Sequence, residues 1–284
     1  MTFGERLSRA ARANSSLVCV GLDPDPQLMP VKDVLAFNKA IIDATQDLVC
    51  AYKPNLAFYE ALGLEGWRAL AGTVAHVGGK VPVIADAKRG DIGNTAKAYA
   101  RALFETLGFD ASTVNPYLGR DAMEPFLEYA DKGIIILCRT SNPGSADFQS
   151  LTVTNGQGQG RPLFEVVAQK ATEWDQKRNV GLVVGATFPQ ELKRVRELCP
   201  DMPILIPGVG AQGGDLEASV RWGCDSRGEG AIINSSRAIL YASKGPDFAE
   251  AARKATLDLR EAINAHRQSP GSLPSGRPGP ASKG

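Results

Sequence analysis

Apolar runs of strand length alternate along this chain with longer stretches in which apolar residues recur at helical spacing. The run around Ile134–Leu137 is apolar throughout, as expected of a strand that is covered on both faces. The pattern predicts eight strands, which are Leu17–Gly21, Val49–Lys53, Val81–Ala85, Ala111–Asn115, Gly133–Arg139, Val180–Gly185, Pro203–Ile206 and Gly230–Asn234.

A stretch of helical period follows each predicted strand. Asp121 is a candidate helix N-cap, Pro162 suits a first helical turn, and Gly78 and Gly79 provide a stop signal. The predicted helices are Val34–Leu48, Glu60–Val77, Ile92–Leu107, Asp121–Tyr129, Pro162–Arg178, Pro189–Leu198, Asp215–Trp222, and Ala238–Tyr241 with Asp247–Arg267.

Strict alternation of strands and helices implies parallel strands, and eight such units imply a closed (β/α)8 barrel, the TIM barrel. An open doubly wound sheet is the alternative. Its G-x-G-x-x-G fingerprint should follow the first strand, whereas the match at Gly208–Gly213 follows the seventh. We therefore expect an α/β protein with a single barrel domain.

The segments outside the barrel are short. Residues 1–16 contain three arginines that would suit a transit peptide, but Glu5 and helical apolar spacing favour a helix packed on the barrel. The barrel is expected over 17–267, with a long polar loop at 140–161. Residues 268–284 are rich in Pro, Gly and Ser, and we expect them to form a disordered tail.

The amino-acid composition indicates the class of protein but does not indicate a specific function. A hydrophobic content of 43%, a charged content of 22% and a net charge of +1 are typical of a soluble globular protein. They give no reason to expect nucleic-acid binding, and no apolar run reaches the length of a membrane span. The five cysteines include no C-x-x-C pair, which predicts a reducing compartment and a cytoplasmic protein. Two histidines provide no basis for a Ser-His-Asp triad or a two-His metal site, so no metal is expected.

The densest cluster of charged residues follows the third predicted strand. Asp86, Lys88, Arg89 and Asp91 occur close together. Because alternate residues of a strand share a face, Asp86 and Lys88 should point the same way, and inside a closed sheet these charges would have to be paired. A strand-end salt bridge with Asp91 as a helix N-cap would explain the same residues without any chemistry.

Polar residues follow several other strands, at the barrel end where active sites lie. Glycines near Gln212 after strand seven, and Arg237 after strand eight, suit a bound phosphate. A glycine-rich turn with a solvated arginine is the alternative. The polar strand-end residues are Asp23, Lys53, Asp86, Lys88, Asp91, Arg139, Thr140, Ser141, Asn142, Gln212, Ser235, Ser236 and Arg237.

At these residues the chain resembles the orotidine 5′-phosphate decarboxylase family, from Leu17 to about Tyr241. Asp86–Ile92 matches that family's D-x-K-x-x-D signature. The longer loop after Ser141 and the segment Asp225–Glu229 are similar to those of its larger bacterial members. Further matching segments are Gly21–Pro24, Lys53–Asn55, Thr140–Gly144, Pro207–Gln212 and Ser235–Arg237.

The resemblance implies a role for each matching residue. Lys88 would be the general acid that protonates C6 of the pyrimidine as CO2 leaves, and Asp86 would lie beside the substrate carboxylate and hold Lys88. Asp91 would come from the neighbouring subunit with Ile92 and Thr95, which implies a homodimer with shared active sites. The other binding residues would be Asp23 and Lys53 for ribose hydroxyls, Ser141 for the pyrimidine amide, and Gln212, Arg237 and the Ser236 backbone for the 5′-phosphate.

Loss of CO2 from C6 would leave a carbanion with no adjacent carbonyl, and no cofactor motif is visible to delocalise it. A preorganised ammonium, kept protonated by flanking carboxylates, would stabilise that charge. The expected activity is cofactor-free conversion of orotidine 5′-monophosphate to UMP in pyrimidine biosynthesis. Two alternatives are a magnesium-dependent sugar-phosphate decarboxylase or aldolase of the same superfamily, and a phosphate-binding barrel without catalysis.

Overall fold

A computed structural model describes residues 1–154, 158, 160–209 and 213–267 of the chain. Gln212 and the expected tail at 268–284 lie outside the described residues. The strands are β1 (Val18–Leu22), β2 (Ala51–Pro54), β3 (Ile84–Arg89), β4 (Ala111–Val114), β5 (Gly133–Arg139), β6 (Thr152–Thr154), β7 (Gly160–Pro162), β8 (Val180–Val184), β9 (Ile204–Ile206) and β10 (Ala231–Ser235). The helices are α1 (Phe3–Ala13), α2 (Val34–Thr45), α3 (Leu56–Glu60), α4 (Gly63–Val77), α5 (Gly93–Arg101), α6 (Arg120–Leu127), α7 (Ala146–Gln149), α8 (Leu163–Trp174), α9 (Pro189–Leu198), α10 (Leu216–Gly223), α11 (Arg237–Leu240) and α12 (Phe248–His266).

Eight strands form one parallel sheet in the order β2-β1-β10-β9-β8-β5-β4-β3. Isolated bridges between Tyr52 and Val83 and between Asn55 and Asp86 join the two edge strands of this sheet. The sheet is therefore a nearly closed barrel, which confirms the predicted (β/α)8 fold over the doubly wound alternative.

The barrel strands are buried on both faces. Every residue of β1 and of β8 is buried, because one face fills the barrel interior and the other meets the surrounding helices. Helix α2 presents Phe37, Ile41 and Ile42 to the barrel at helical spacing. This packing explains why the strand runs contain so few polar residues before their C-terminal ends.

Helix α1 packs against the barrel through its buried apolar residues Phe3, Leu7, Ala10 and Ala11. The Thr2 hydroxyl accepts a hydrogen bond from the Glu5 backbone, and the Glu5 carboxylate accepts one from the Thr2 backbone, which forms a capping box. Phe3 and Leu7 are buried, and the Phe3 ring occupies the space beside Gly133 that a Cβ atom would need. Helix α1 thus covers the N-terminal end of β5.

Several helix boundaries differ from the predictions for local reasons. Asp121 is not an N-cap, because α6 begins directly after Gly119, whose φ of 88° requires glycine. Pro162 is itself the N-cap of α8 rather than its first residue. The predicted helix at Glu60–Val77 is divided between α3 and α4, and α5 ends in a π-helical turn at Ala102–Thr106.

Strand β3 is longer than predicted, since it continues from Ala85 through Asp86 and Lys88 to Arg89. Asp86 and Lys88 lie inside the barrel mouth, where they pair with each other, whereas Arg89 does not line the cavity and pairs with Glu60. The predicted polar loop at 140–161 contains α7 and the short antiparallel pair β6–β7. Among the helices of the described ranges, none has the length and apolar character needed to cross a bilayer.

Candidate active site

A cavity of about 530 Å³ opens at the C-terminal ends of the barrel strands. Strands β1 to β5 and β8 to β10, or the loops that follow them, all contribute to it. Its polar lining residues are Asp23, Asp25, Lys53, Asn55, Asp86, Lys88, Thr113, Thr140, Ser141, Asn142, Asn234, Ser235, Ser236, Arg237 and Tyr241. Its main apolar lining residues are Leu28, Phe58, Leu137, Val183, Leu205, Pro207 and Val209.

One carboxylate joins two ammonium groups in this cavity. Lys53 Nζ donates to Asp86 Oδ2 at 3.0 Å, and Lys88 Nζ donates to Asp86 Oδ1 at 2.6 Å. The Lys53 side chain is only 4% exposed, whereas that of Lys88 is 49% exposed at the cavity surface. Asp86 therefore anchors a buried lysine on one side and presents an accessible lysine on the other.

Local backbone geometry places Lys88 on the cavity side. Its φ is 48°, a left-handed conformation that is uncommon for residues other than glycine and is held here by neighbouring contacts. The Lys88 backbone N–H donates to Thr113 Oγ1 at 2.9 Å, and the Thr113 hydroxyl donates to Asp86 Oδ1 at 3.0 Å. Thr113 thus ties the Lys88 backbone to the Asp86 carboxylate.

Sequence reasoning did not include Thr113 among the candidates. It lies inside β4, one residue before the end of a short strand of small residues that also contains Ser112. A threonine at an inward position of a barrel strand was the available signal, but it is also common in sheets for packing reasons.

The charges of the cluster are fixed by their mutual proximity. Burial lowers the pKa of Lys53, but the negative charges of Asp86 and Asp23 outweigh burial and raise this pKa well above its usual value. Burial raises the pKa of Asp86, but the positive charges of Lys53 and Lys88 outweigh it, so this pKa lies well below its usual range. Asp86 is consequently a carboxylate and Lys53 an ammonium throughout the neutral pH range.

Asp23 lies at the rim of the same cavity, directly after β1. Its carboxylate accepts a hydrogen bond from the Asn55 backbone at 3.2 Å, which links the ends of β1 and β2. The Tyr241 hydroxyl donates to the Asp23 carbonyl at 3.0 Å and accepts from the Asp25 backbone at 2.6 Å. The loop after β1 is therefore held close to the segment that follows α11.

Ser141 follows β5 on the opposite side of the cavity. Its carbonyl accepts a hydrogen bond from the Thr187 hydroxyl at 3.2 Å, and a Cβ at Gly185 would lie 2.7 Å from its Cα. Leu137 and Val183 form an apolar wall near it. This part of the cavity combines apolar side chains with the small polar side chains of Thr140, Ser141 and Asn142, as suits a flat heterocyclic base.

Ser236 and Arg237 line the cavity where β10 passes into α11. The Arg237 side chain is exposed, and it can turn toward a bound anion. Gly21 allows the close approach of this segment to β1, because a Cβ there would overlap the Ser236 hydroxyl. Gln212, the other predicted phosphate ligand, lies outside the part of the chain that the structure describes.

Asn234 also faces the cavity and was missing from the predicted site. Its Oδ1 is buried and accepts no hydrogen bond from the residues that the structure describes. An asparagine at the end of an apolar strand was the signal in the sequence, and a donor group on a ligand would satisfy this oxygen.

Asp91, Ile92 and Thr95 are not brought to the cavity of their own chain, and none of them lines it. The Asp91 carboxylate accepts a hydrogen bond from the Ile92 backbone at 2.8 Å, while Ile92 is 58% exposed. Ile92 rather than Asp91 is the N-cap of α5, so the alternative explanation of Asp91 as a helix N-cap is wrong. These residues therefore lie outside the cavity that Lys88 lines in the same chain.

No group of three or more His, Cys, Asp or Glu side chains suited to a metal ion is found within residues 1–154, 158, 160–209 and 213–267. The directly bonded charged groups of the cavity are instead two lysines and one aspartate, Lys53, Lys88 and Asp86. This donor set suits stabilisation of negative charge on a bound molecule.

Comparisons with known proteins give a consistent result. Residues 16–255 match the family described as "Orotidine 5′-phosphate decarboxylase / HUMPS family". The chain is 57% identical over 269 residues to orotidine 5′-phosphate decarboxylase of Dehalococcoides mccartyi, which covers 94% of this chain and 99% of that protein. It is 55% identical over 272 residues to the enzyme of the same name from Roseiflexus castenholzii, covering 93% of this chain and 98% of that protein. The solved structure of Leishmania donovani OMP decarboxylase superposes with a TM-score of 0.83 at 42% identity, covering 94% of this chain and 99% of that one.

Proposed function

Because this chain belongs to the orotidine 5′-phosphate decarboxylase / HUMPS family and is a carboxy-lyase that converts orotidine 5′-monophosphate to UMP, we propose that the Lys53–Asp86–Lys88 cluster performs the decarboxylation. The observation that supports this most strongly is the 2.6 Å contact between Lys88 Nζ and Asp86 Oδ1 at the cavity surface. Replacement of Lys88 by alanine tests the assignment, because it should abolish turnover while UMP still binds.

The proposed step breaks the bond between C6 and the carboxylate carbon. The electron pair stays on C6 as CO2 leaves, and a proton passes from the Lys88 ammonium to C6. Lys88 is then a neutral amine, which takes a proton from solvent because its side chain is half exposed. The chain's own ammonium groups supply the positive field, so we propose that the reaction needs no cofactor.

Asp86 is proposed to hold Lys88 in place and to lie beside the substrate carboxylate. Its low pKa keeps it charged, and the Thr113 hydroxyl fixes the oxygen that Lys88 also contacts. A charge that is already fixed needs little reorganisation as negative charge develops on C6. Lys53 completes the network from the buried side.

The substrate is proposed to lie along the cavity from Ser141 to Arg237. Ser141 would bond the pyrimidine amide, with Leu137 and Val183 against the ring. Asp23 and Lys53 would bind ribose hydroxyls. The 5′-phosphate would be bound by Gln212, Arg237 and the Ser236 backbone, and its binding energy would help to order the site around the reacting carbon.

A homodimer with shared active sites is proposed to complete the site. Asp91, Ile92 and Thr95 would enter the cavity of the partner subunit. A surface of exposed apolar side chains supports this, and it consists of Leu64, Trp67, Ile92, Tyr117 and Leu118. The three segments that contain these side chains are adjacent. The Asn115 backbone, which precedes Tyr117, donates to the carbonyl of Arg89, which precedes Ile92, and the Arg89 side chain pairs with Glu60, which precedes Leu64. Apolar clusters of this kind on one face are typical of protein–protein contacts.

The remaining assignments concern the whole chain. We propose that residues 17–267 act as one catalytic domain and 1–16 as a packed extension of it. All five cysteines are free thiols, which supports activity in a reducing compartment such as the cytoplasm. The relatives at 55% and 57% identity carry the decarboxylase name, which favours this function over a sugar-phosphate enzyme or a non-catalytic barrel.

A further inference from the structure

A closed hydrogen-bond network holds the loop that contains Ser141. Gln149, at the end of α7, accepts through Oε1 from the Thr140 backbone N–H at 2.8 Å. Its Nε2 donates to Thr140 Oγ1 at 3.0 Å, and the Thr140 hydroxyl is also 2.7 Å from Asn142 Oδ1. Both neighbours of Ser141 are thereby connected to one glutamine side chain.

Arg139, the last residue of β5, also contacts this loop. Its guanidinium donates to the Ser145 hydroxyl and, at 3.4 Å, to Gln149 Oε1. Ser145 in turn donates to the Asn142 carbonyl at 2.6 Å. Thr140 at the start of the loop directly follows β5, and the Arg139 side chain at the end of β5 contacts Ser145 in the middle of the loop and Gln149 at the end of the loop.

The Arg139 side chain is buried, and it does not line the cavity. It is 3% exposed, its guanidinium lies 3.6 Å from the centre of the Phe188 ring, and it is 4.0 Å from the Glu191 carboxylate. Because Arg139 does not line the cavity, its loss would affect catalysis only through Ser145 and Gln149, to which its guanidinium donates hydrogen bonds.

The opposite side of the loop is fixed by β8 and the residues after it. The Gly185 backbone donates to the Arg139 carbonyl at 2.8 Å, and Thr187 donates to the Ser141 carbonyl at 3.2 Å. The tip of the loop, Asn142 to Gly144, is exposed and has little apolar packing of its own. Its conformation consequently depends on these polar contacts.

We propose that Arg139 and Gln149 are positioning residues that preorganise Ser141 for the pyrimidine base. The inference rests on the proposed contact between Ser141 and the base. An unanchored loop would have to be ordered when the ligand binds, and the lost entropy would reduce affinity for the base in particular. Binding of the ribose and phosphate should be unaffected, because those groups are assigned to other strands.

The test compares two ligands that differ in the base. UMP contains the pyrimidine, the ribose and the phosphate, whereas ribose 5-phosphate lacks the pyrimidine. Isothermal titration calorimetry of the full chain should show that Gln149→Ala weakens UMP binding about tenfold and leaves ribose 5-phosphate affinity unchanged. Ser145→Ala, which removes a second anchor, should give the same selective loss, and Gln46→Ala, which removes an exposed Gln–Lys80 contact, should change neither affinity.

A double-mutant cycle separates positioning from general structural damage. If Gln149 acts through Ser141, adding Gln149→Ala to Ser141→Ala should change UMP affinity less than about twofold. Equal losses for both ligands, or additive effects in the cycle, would overturn the inference. A loss in Ser141→Ala with none in Gln149→Ala or Ser145→Ala would refute the positioning role alone. Full UMP affinity in Ser141→Ala would instead refute the base contact, and the inference with it.

Discussion

Lys88 and Asp86 are separated by one residue on the same strand, and the Lys88 ammonium lies 2.6 Å from the Asp86 carboxylate inside the barrel mouth. The other carboxylate oxygen is 3.0 Å from the buried Lys53 ammonium. The cluster therefore has two positive charges and one negative charge before substrate binds. The fixed Lys88 ammonium would stabilise the negative charge that develops on C6, which is the physical basis of the proposed reaction.

Asp86→Asn should destabilise the folded protein. The substitution keeps the shape of the side chain but leaves the buried Lys53 ammonium without its carboxylate partner. We expect the free energy of unfolding at pH 7 to fall by about 3 kcal/mol, measured by urea denaturation. Asp131→Asn is the matched control, because this exposed aspartate forms no ion pair with the residues that the structure describes. Equal stability of the two variants would show that the pairing with Lys53 contributes little.

The same pair predicts a specific dependence of stability on pH. The folded-state pKa of Asp86 lies below its usual 3.8, so the stabilisation from this carboxylate is present above pH 3.8 and is lost as the pH falls through the folded-state pKa. The pKa of Lys53 is raised above 10.5, so its contribution is present below pH 10.5 and is lost as the pH rises further. Unfolding free energies measured across the acidic range should show a weaker loss for Asp86→Asn than for wild type. Parallel curves would contradict the low pKa of Asp86.

Arg237→Ala should impair binding of phosphorylated substrate selectively. A charge-assisted contact to phosphate would be lost, so kcat/KM for orotidine 5′-monophosphate should fall by about 10-fold to 100-fold, mainly through KM. Turnover of orotidine, which lacks the phosphate, should match that of wild type. Arg9→Ala on α1 is the control for loss of an exposed arginine. An equal loss on both substrates would place Arg237 outside the phosphate site.

Mixed dimers test whether Asp91 acts across the subunit interface. Lys88→Ala and Asp91→Ala homodimers should each be nearly inactive. In a purified heterodimer one of the two shared sites retains both residues, so activity should return to about half the wild-type rate. If the heterodimers form, as shown by differently tagged subunits, and remain inactive, then Asp91 is not supplied by the partner.

The barrel and the pairing of Asp86 with Lys88 could be predicted because both depend on short-range periodicity. Apolar runs and helical spacing determine the order of elements, and the two-residue period of a strand places Asp86 and Lys88 on one face. The predicted strand end at Ala85 was too early, because charged residues usually indicate a loop. Here the charges compensate one another, so the strand continues to Arg89.

Side-chain contacts between different secondary-structure elements could not be predicted from the hydrophobic periodicity of the sequence. Thr113 reaches Asp86 from the neighbouring strand, and Gln149 reaches Thr140 from a short helix in a polar loop. Neither residue differs in type from ordinary surface or sheet residues, so only the three-dimensional arrangement reveals its role. Ile92, by contrast, was predicted from the sequence as a binding residue, but it lies exposed on its own subunit.

The central claim is that the Lys88 ammonium protonates the carbanion at C6. The most direct measurement is the rate of conversion of orotidine 5′-monophosphate to UMP by wild type and Lys88→Ala after treatment with EDTA, followed by ultraviolet absorbance. We predict that wild type retains its activity and that kcat of the variant falls by more than about 1,000-fold, while its unfolding temperature and its affinity for UMP remain close to those of wild type. Lys39→Ala, which removes an exposed lysine of α2, should retain full activity. Turnover by Lys88→Ala within a few fold of the wild-type rate would contradict the assignment of Lys88 as the acid.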